Sequence, residues 1–160
     1  MCAAVFEELA SDAPRPRFTV GIVDDVSGLS LAWHPIGDLE PASRVRALFF
    51  GLGADGTVGA NKNTAKIIGG NTDLHVQAYF VYDSKKSGSM TVSHLRFGPE
   101  RIRSTYLIES ASFVACHAFV LLERVDVLGV AARGATFLLD APFSPSEVWN
   151  ALPERVRRTI

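Results

Sequence analysis

Val45-Arg-Ala-Leu-Phe-Phe-Gly-Leu-Gly-Ala-Asp-Gly-Thr-Val-Gly-Ala-Asn-Lys-Asn63 is the stretch whose reading decides the fold. Residues 45–50 form an apolar, buried-strand run, residues 51–56 are rich in glycine, and residues 58–69 suit a helix. Gly51, Gly53 and Gly56 stand in G-x-G-x-x-G spacing after the strand and before the helix, the context in which that spacing carries meaning. Glycines let the backbone turn sharply and approach a phosphate, while the helix behind them offers unpaired N–H groups and a partial positive charge. Thr57, Gly59 and Asn61 extend the loop with small and hydrogen-bonding positions, and Lys62 adds a positive charge. No Gly-Lys-Ser/Thr follows at the Walker A offset, so nucleotide hydrolysis has no support. Asp55 is a complication, because a carboxylate opposes phosphate unless it caps the helix or binds a donor. The same spacing also fits a tight strand-to-helix turn that holds nothing.

On either side the pattern continues as alternating strands and helices. Strands are expected at 75–82, 90–97, 105–108, 113–116 and 135–139, with helices at 119–132 and 145–152, the last capped by Ser144 with Glu147 in its first turn. That order predicts an α/β fold, Rossmann-like, with a largely parallel sheet and flanking helices. Before it, 5–9 could end a short helix and 12–17, Asp-Ala-Pro-Arg-Pro-Arg, reads as a linker. Residues 18–23 read as a strand and 24–43 as an irregular arm. The expected organisation is therefore 1–17 as the end of a preceding domain or a linker, 18–43 as a connector and 44–160 as the main domain.

One domain suits the length of 160 residues. Sixteen Lys and Arg against seventeen Asp and Glu leave a formal charge of -1, so no global field draws nucleic acid or an anionic membrane, and phosphate recognition must be local. Two cysteines are too few for a disulfide scaffold, a structural zinc site or a four-cysteine iron-sulfur cluster. Glu7 and Glu8 stand where a signal peptide needs basic and apolar residues, which points to the cytoplasm. The longest uncharged run after Glu109, residues 110–122, is shorter than the roughly 20 residues that span a bilayer. The mean hydropathy of +0.17 suggests apolar surface covered by partner domains.

A second polar constellation, Asp83-Ser-Lys-Lys-Ser-Gly-Ser89, follows the 75–82 strand. Dinucleotide folds meet a ribose hydroxyl or an extra phosphate there, and Lys85 and Lys86 with three serines suit a phosphate, although a bare Lys-Lys pair more often marks a solvated turn. Together the two loops predict a phosphorylated nucleotide ligand, with NADP and coenzyme A both compatible. None of His34, His75, His94 and His117 has a partner at metal spacing. His94 has no acid for a triad and reads as structural; His117 and Cys116, in an apolar run, read as buried. Arg101, Arg103, Arg155, Arg157 and Arg158 read as solvated or interface residues.

Five segments carry a resemblance: residues 18–26, the glycine loop 51–62, 79–89, Val92-Ser-His-Leu-Arg-Phe-Gly98 and Ile102-Arg-Ser-Thr-Tyr106. In this order they closely resemble the gamma-type domain of pyruvate:ferredoxin (flavodoxin) oxidoreductases, over residues 18–160. The family oxidatively decarboxylates pyruvate with coenzyme A, using thiamine diphosphate with magnesium and iron-sulfur clusters, and passes electrons to ferredoxin or flavodoxin. The resemblance implies a domain of that machine, inactive alone, contributing to the coenzyme A site, with the other cofactors held elsewhere and a homodimer of the full enzyme. The family's domain continues beyond the position of Ile160, so a C-terminally truncated piece is expected. A non-catalytic scaffold of the same complex and an NADP-binding reductase domain are the alternatives.

Overall fold

The computed structural model describes residues 1–23, 26–35, 37, 39–82 and 88–160. The chain divides into two units, Met1–Leu39 and Glu40–Ile160. The first contains helix α1, Cys2–Leu9, whose Glu8 pairs with Arg15 at 2.9 Å. Residues 18–23 do not form the expected strand. One isolated bridge, Thr19 to Ser30, is made instead, because Gly21 turns the chain out of extended geometry at φ +76°.

The second unit is built on β1 (Val45–Leu52), α2 (Thr57–Asn71), β2 (His75–Tyr82), β3 (Met90–Gly98), β4 (Ala111–Cys116) and β5 (Ala131–Leu139). They form one sheet in the order β2-β3-β1-β4-β5. β3 pairs antiparallel with both β1 and β2, while β4 pairs parallel with β1 and β5. Four of the five strands therefore point one way and β3 alone runs back, giving the expected α/β sheet with flanking helices in a mixed form. Seven residues separate β2 from β3, too few for the crossover a parallel neighbour needs.

The two sheet faces differ. Leu48, Phe50, Val114 and Cys116 share one face, where Ile108, Leu121, Leu122, Val127, Leu128, Leu152 and Val156 complete a buried apolar cluster. α3 (Leu121–Arg124) supplies Leu121 and Leu122 and α5 (Glu154–Thr159) supplies Val156, while Leu152 directly follows α4 (Val148–Ala151). On the opposite face α2 crosses β1, β2 and β3. Its buried residues are the polar Thr57 and Asn61, and β3 contributes buried Thr91 and Ser93.

Three other expected elements are replaced. Residues 105–108 are not a strand, because side chains take their backbone groups: Ile108 N–H donates to His94 Nδ1 at 3.1 Å and Tyr106 C=O accepts from Arg96 at 2.8 Å. The helix expected over 119–132 shrinks to α3. Val125 is extended, Asp126 accepts the Gly129 N–H at 3.0 Å, and Arg155 caps the carbonyls of Leu122 and Val125. Over 145–152 only α4 is helical; Ser144 N–H and hydroxyl both donate to Glu147, so half of a capping box forms ahead of the helix. The short α5 was not expected.

Candidate functional site

β1, β2, β4 and β5 all end at one edge of the sheet, where open α/β sheets place ligands. The chain leaves β1 toward β2 and leaves β4 toward β5 on the other side, so the sheet's switch point lies between β1 and β4. The glycine loop occupies this edge.

Asp55 organises the loop. Its carboxylate accepts the Leu52 N–H at 2.6 Å and the Thr57 N–H at 2.8 Å, and the Thr57 hydroxyl also donates to it. Burial raises its pKa, but these donors and the nearby His117 outweigh burial and hold it below the ordinary aspartate value. The negative charge is thus drawn inward onto the turn. Gly51 makes that possible: a Cβ there would stand 2.5 Å from Thr57 Oγ1 and 2.7 Å from Asp55 Oδ2. Ala54 and Gly56 take positive φ, 71° and 87°, and Gly53 N–H donates to Ser89 C=O at 2.7 Å. Among the described residues the N–H groups of Ala54, Gly56, Val58 and Gly59 have no protein acceptor.

Beside the loop is a cleft of about 330 Å³, lined by Gly53, Ala54, Asp55, Gly56, Val58 and Gly59 from this segment and by Tyr82, Ser89 and Thr91 from the facing strands. Thr91 is buried, and its hydroxyl has no partner among the described residues. The structure thus brings Gly53, Asp55, Gly56 and Gly59 together, with Gly51 and Thr57 beneath them. Asn61 is buried, its Nδ2 without a partner among the described residues, and it does not line the cleft. Lys62 sits over the Phe80 ring at 5.4 Å, also outside the lining. Lys85 and Lys86 lie outside the described residues. Tyr82, Ser89 and Thr91 were not singled out by the glycine spacing. Thr91 arrives through the ladder, opposite both Gly51 and Tyr82.

His94 is structural: burial, with the charge of Arg96, lowers its pKa to about 4. Cys116 is buried, its thiol pushed up by that burial while it donates to Ala118 C=O at 3.3 Å. His117, in contrast to its expected burial, is exposed at the end of β4, stacked 6.3 Å from Phe49. Among the described residues there is no group of three or more metal-ligating side chains, and no helix is long and apolar enough to cross a membrane.

Residues 46–160 match the family model described as pyruvate ferredoxin/flavodoxin oxidoreductase. The chain is 58% identical over its whole length to a pyruvate-flavodoxin oxidoreductase of Nostoc sp., covering 13% of that protein. It is 50% identical over its whole length to the pyruvate:ferredoxin oxidoreductase of Moorella thermoacetica, covering 14% of it. A probable pyruvate-flavodoxin oxidoreductase of Escherichia coli is 48% identical over 98% of the chain and 13% of the relative. Among solved structures, pyruvate oxidoreductase subunit PORC from Thermotoga maritima superposes with a TM-score of 0.52 at 17% identity, over 68% of this chain and 56% of that one. That likeness concerns the fold. The chain spans about 13% of the length of the curated relatives it matches most fully.

Proposed function

Since this chain belongs to the pyruvate ferredoxin/flavodoxin oxidoreductase family, we propose that it serves a larger enzyme that oxidatively decarboxylates pyruvate, by holding the phosphate-bearing end of coenzyme A. The observation that carries this reading is the set of four unclaimed N–H groups around the cleft, at Ala54, Gly56, Val58 and Gly59. With the Asp55 charge drawn inward, they offer an oxyanion backbone donors at the N-terminus of the 15-residue helix α2. Thr57 is spent on Asp55, so its role is to hold the loop. Lys62 is turned to Phe80, and charge pairing falls to Lys85 and Lys86. The exposed Tyr82 offers the ligand an aromatic face.

The contribution is positioning: a thiol carrier held by its far end delivers the thiol to chemistry performed elsewhere in the enzyme. Thiamine diphosphate with magnesium and the iron-sulfur clusters are assigned to other parts of that enzyme. Cys2 is exposed, Cys116 is buried, and two thiols do not make a four-thiolate cluster site. Ferredoxin or flavodoxin as acceptor, a homodimeric enzyme and a cytoplasmic setting complete the proposal. The test is the apparent KM for coenzyme A of the intact enzyme carrying Lys85→Ala and Lys86→Ala. A rise of roughly tenfold or more is expected for two lost charge-assisted contacts; an unchanged KM removes both lysines from the site.

A second reading, a scaffold that holds neighbouring domains, is favoured by one observation. On the α2 face, Phe49 and Phe113 are only partly buried and Leu138 is 51% exposed. This reading expects substitutions in the glycine loop to alter assembly while leaving coenzyme A affinity intact.

A further inference from the structure

At the other end of the sheet, far along β3 from the glycine loop, a second cavity opens over a buried arginine. We propose that this cavity, between β2, β3 and residues 104–107, binds a carboxylate monoanion. Nothing in the coenzyme A reading requires it.

Arg44, Arg96 and Glu40 form a buried cluster in which one carboxylate serves two guanidinium groups. Arg96 Nε donates to Glu40 Oε1 at 2.6 Å and Arg44 Nη1 to Glu40 Oε2 at 3.1 Å. The side chains of Arg44, Arg96 and Glu40 are 7%, 2% and 3% exposed. Among the described residues the cluster therefore holds one more positive charge than negative, and a buried charge without a counter-charge is expensive. Arg44 Nε is also buried without a partner among those residues. Arg101 and Arg103, on the exposed segment after β3, add to the local positive potential.

The space for the missing anion is present. A cavity of about 440 Å³ is lined by Gln77, Arg96, Ser104, Thr105, Tyr106 and apolar neighbours including Leu107. A guanidinium carries five N–H groups, and Arg96 commits one from Nε to Glu40, one from Nη1 to Gln77 Oε1 at 3.0 Å and one from Nη2 to Tyr106 C=O at 2.8 Å. Two Nη N–H groups remain for an acceptor. The Tyr106 ring covers the guanidinium face, 5.1 Å from Cζ, so an incoming group meets the edge, the approach that suits a planar carboxylate. Thr105 and Tyr106 line the same space, and the Tyr106 hydroxyl, which accepts from Ser104 Oγ at 3.4 Å, keeps its own proton to donate. One surplus charge calls for a monoanion; a phosphate dianion would exceed it and lose hydration against the apolar wall.

The test is an NMR titration of the full chain at fixed ionic strength with acetate, inorganic phosphate and an amide-capped glutamate. Saturable shifts centred on the Tyr106 and Leu107 amides are expected with the carboxylates, with phosphate at least about tenfold weaker. Tyr106→Phe, which keeps the ring over Arg96, should weaken acetate several-fold by removing one donor, and Arg44→Met, which removes the surplus charge, should weaken it by about tenfold or more. Tighter binding of the capped glutamate than of acetate identifies an acidic side chain as the occupant, and the reverse order identifies a free small carboxylate; both uphold the site. Absent or non-saturating shifts, phosphate binding as tightly as acetate, or an affinity unchanged in both variants would overturn it. If Arg44→Met does not fold, Tyr106→Phe decides alone.

Discussion

The two faces of this sheet are made from alternate residues of the same strands, yet they solve different problems. Leu48, Phe50, Val114 and Cys116 point to a face where apolar side chains close over one another and exposures fall to a few per cent. Phe49, Gly51, Thr91 and Ser93, their neighbours in sequence or across the ladder, point to a face covered on one half by α2. There the buried polar groups are hydroxyls and an amide set beside buried Ala47, Leu95 and Ala115, and three of them have no protein partner among the described residues. Stability and ligand chemistry are thus separated around β1 and β4, but toward β2 the Leu48 face turns polar at Arg96 and Gln77, where the carboxylate site is proposed. A closed apolar face fixes the strands, and that rigidity lets the other face carry unpaired polar groups at the edge where a ligand would approach.

Substitutions can break or sharpen that contrast. The largest effect is expected on the closed face: Leu122, fully buried, should cost about 2–5 kcal/mol as Leu122→Ala in urea unfolding of the chain. A loss below about 1 kcal/mol would mean that this face is not the stabilising one. His94 gives the same face a pH signature. Its imidazole is held neutral, with a pKa lowered to about 4, so its contribution is complete above the unfolded value near 6.5 and declines as pH falls from there through about 4. The decline should be of order 2–3 kcal/mol, and His94→Gln should flatten that part of the stability profile.

On the α2 face effects should be smaller. Gly51→Ala pushes a methyl group into Thr57 and Asp55 and should cost about 1–3 kcal/mol. Ser93→Ala lies at the bottom of the scale. It removes a fully buried hydroxyl that has no partner among the described residues, so stability should stay within about 1 kcal/mol or rise. A larger loss would reveal a partner for that hydroxyl and weaken the contrast.

What was legible in the sequence follows the same division. β2 was read to the residue, and β1 and α2 to within two residues, because local signals dominate there: β-branched and aromatic runs, and glycines at a strand end. Residues 105–108 were misread as a strand because His94 and Arg96, side chains distant in sequence, take the Ile108 N–H and the Tyr106 carbonyl, while Gln77 takes the carbonyl of Ser104 just before them. The helix expected over 119–132 failed for a related reason, since Arg155 takes two of its carbonyls. Within the candidate site, the glycines and Asp55 could be found from spacing. Thr91 could not, because it reaches the loop only through the reversed pairing of β3 with β1. Lys62 was read as a ligand charge, and its geometry turns it onto Phe80 instead. His117 was read as buried from an apolar context, but it falls one residue past the last paired position of β4, where the sheet no longer covers it.

The proposed function stands or falls with the loop between β1 and α2 receiving the phosphate-bearing end of coenzyme A. The most direct measurement is a titration of the intact enzyme, selectively labelled with 15N-alanine and 15N-glycine, with coenzyme A. Saturable amide shifts led by Ala54, Gly56 and Gly59 are expected, with Gly134 on β5 unmoved. Saturable binding that leaves those three amides unshifted would contradict it.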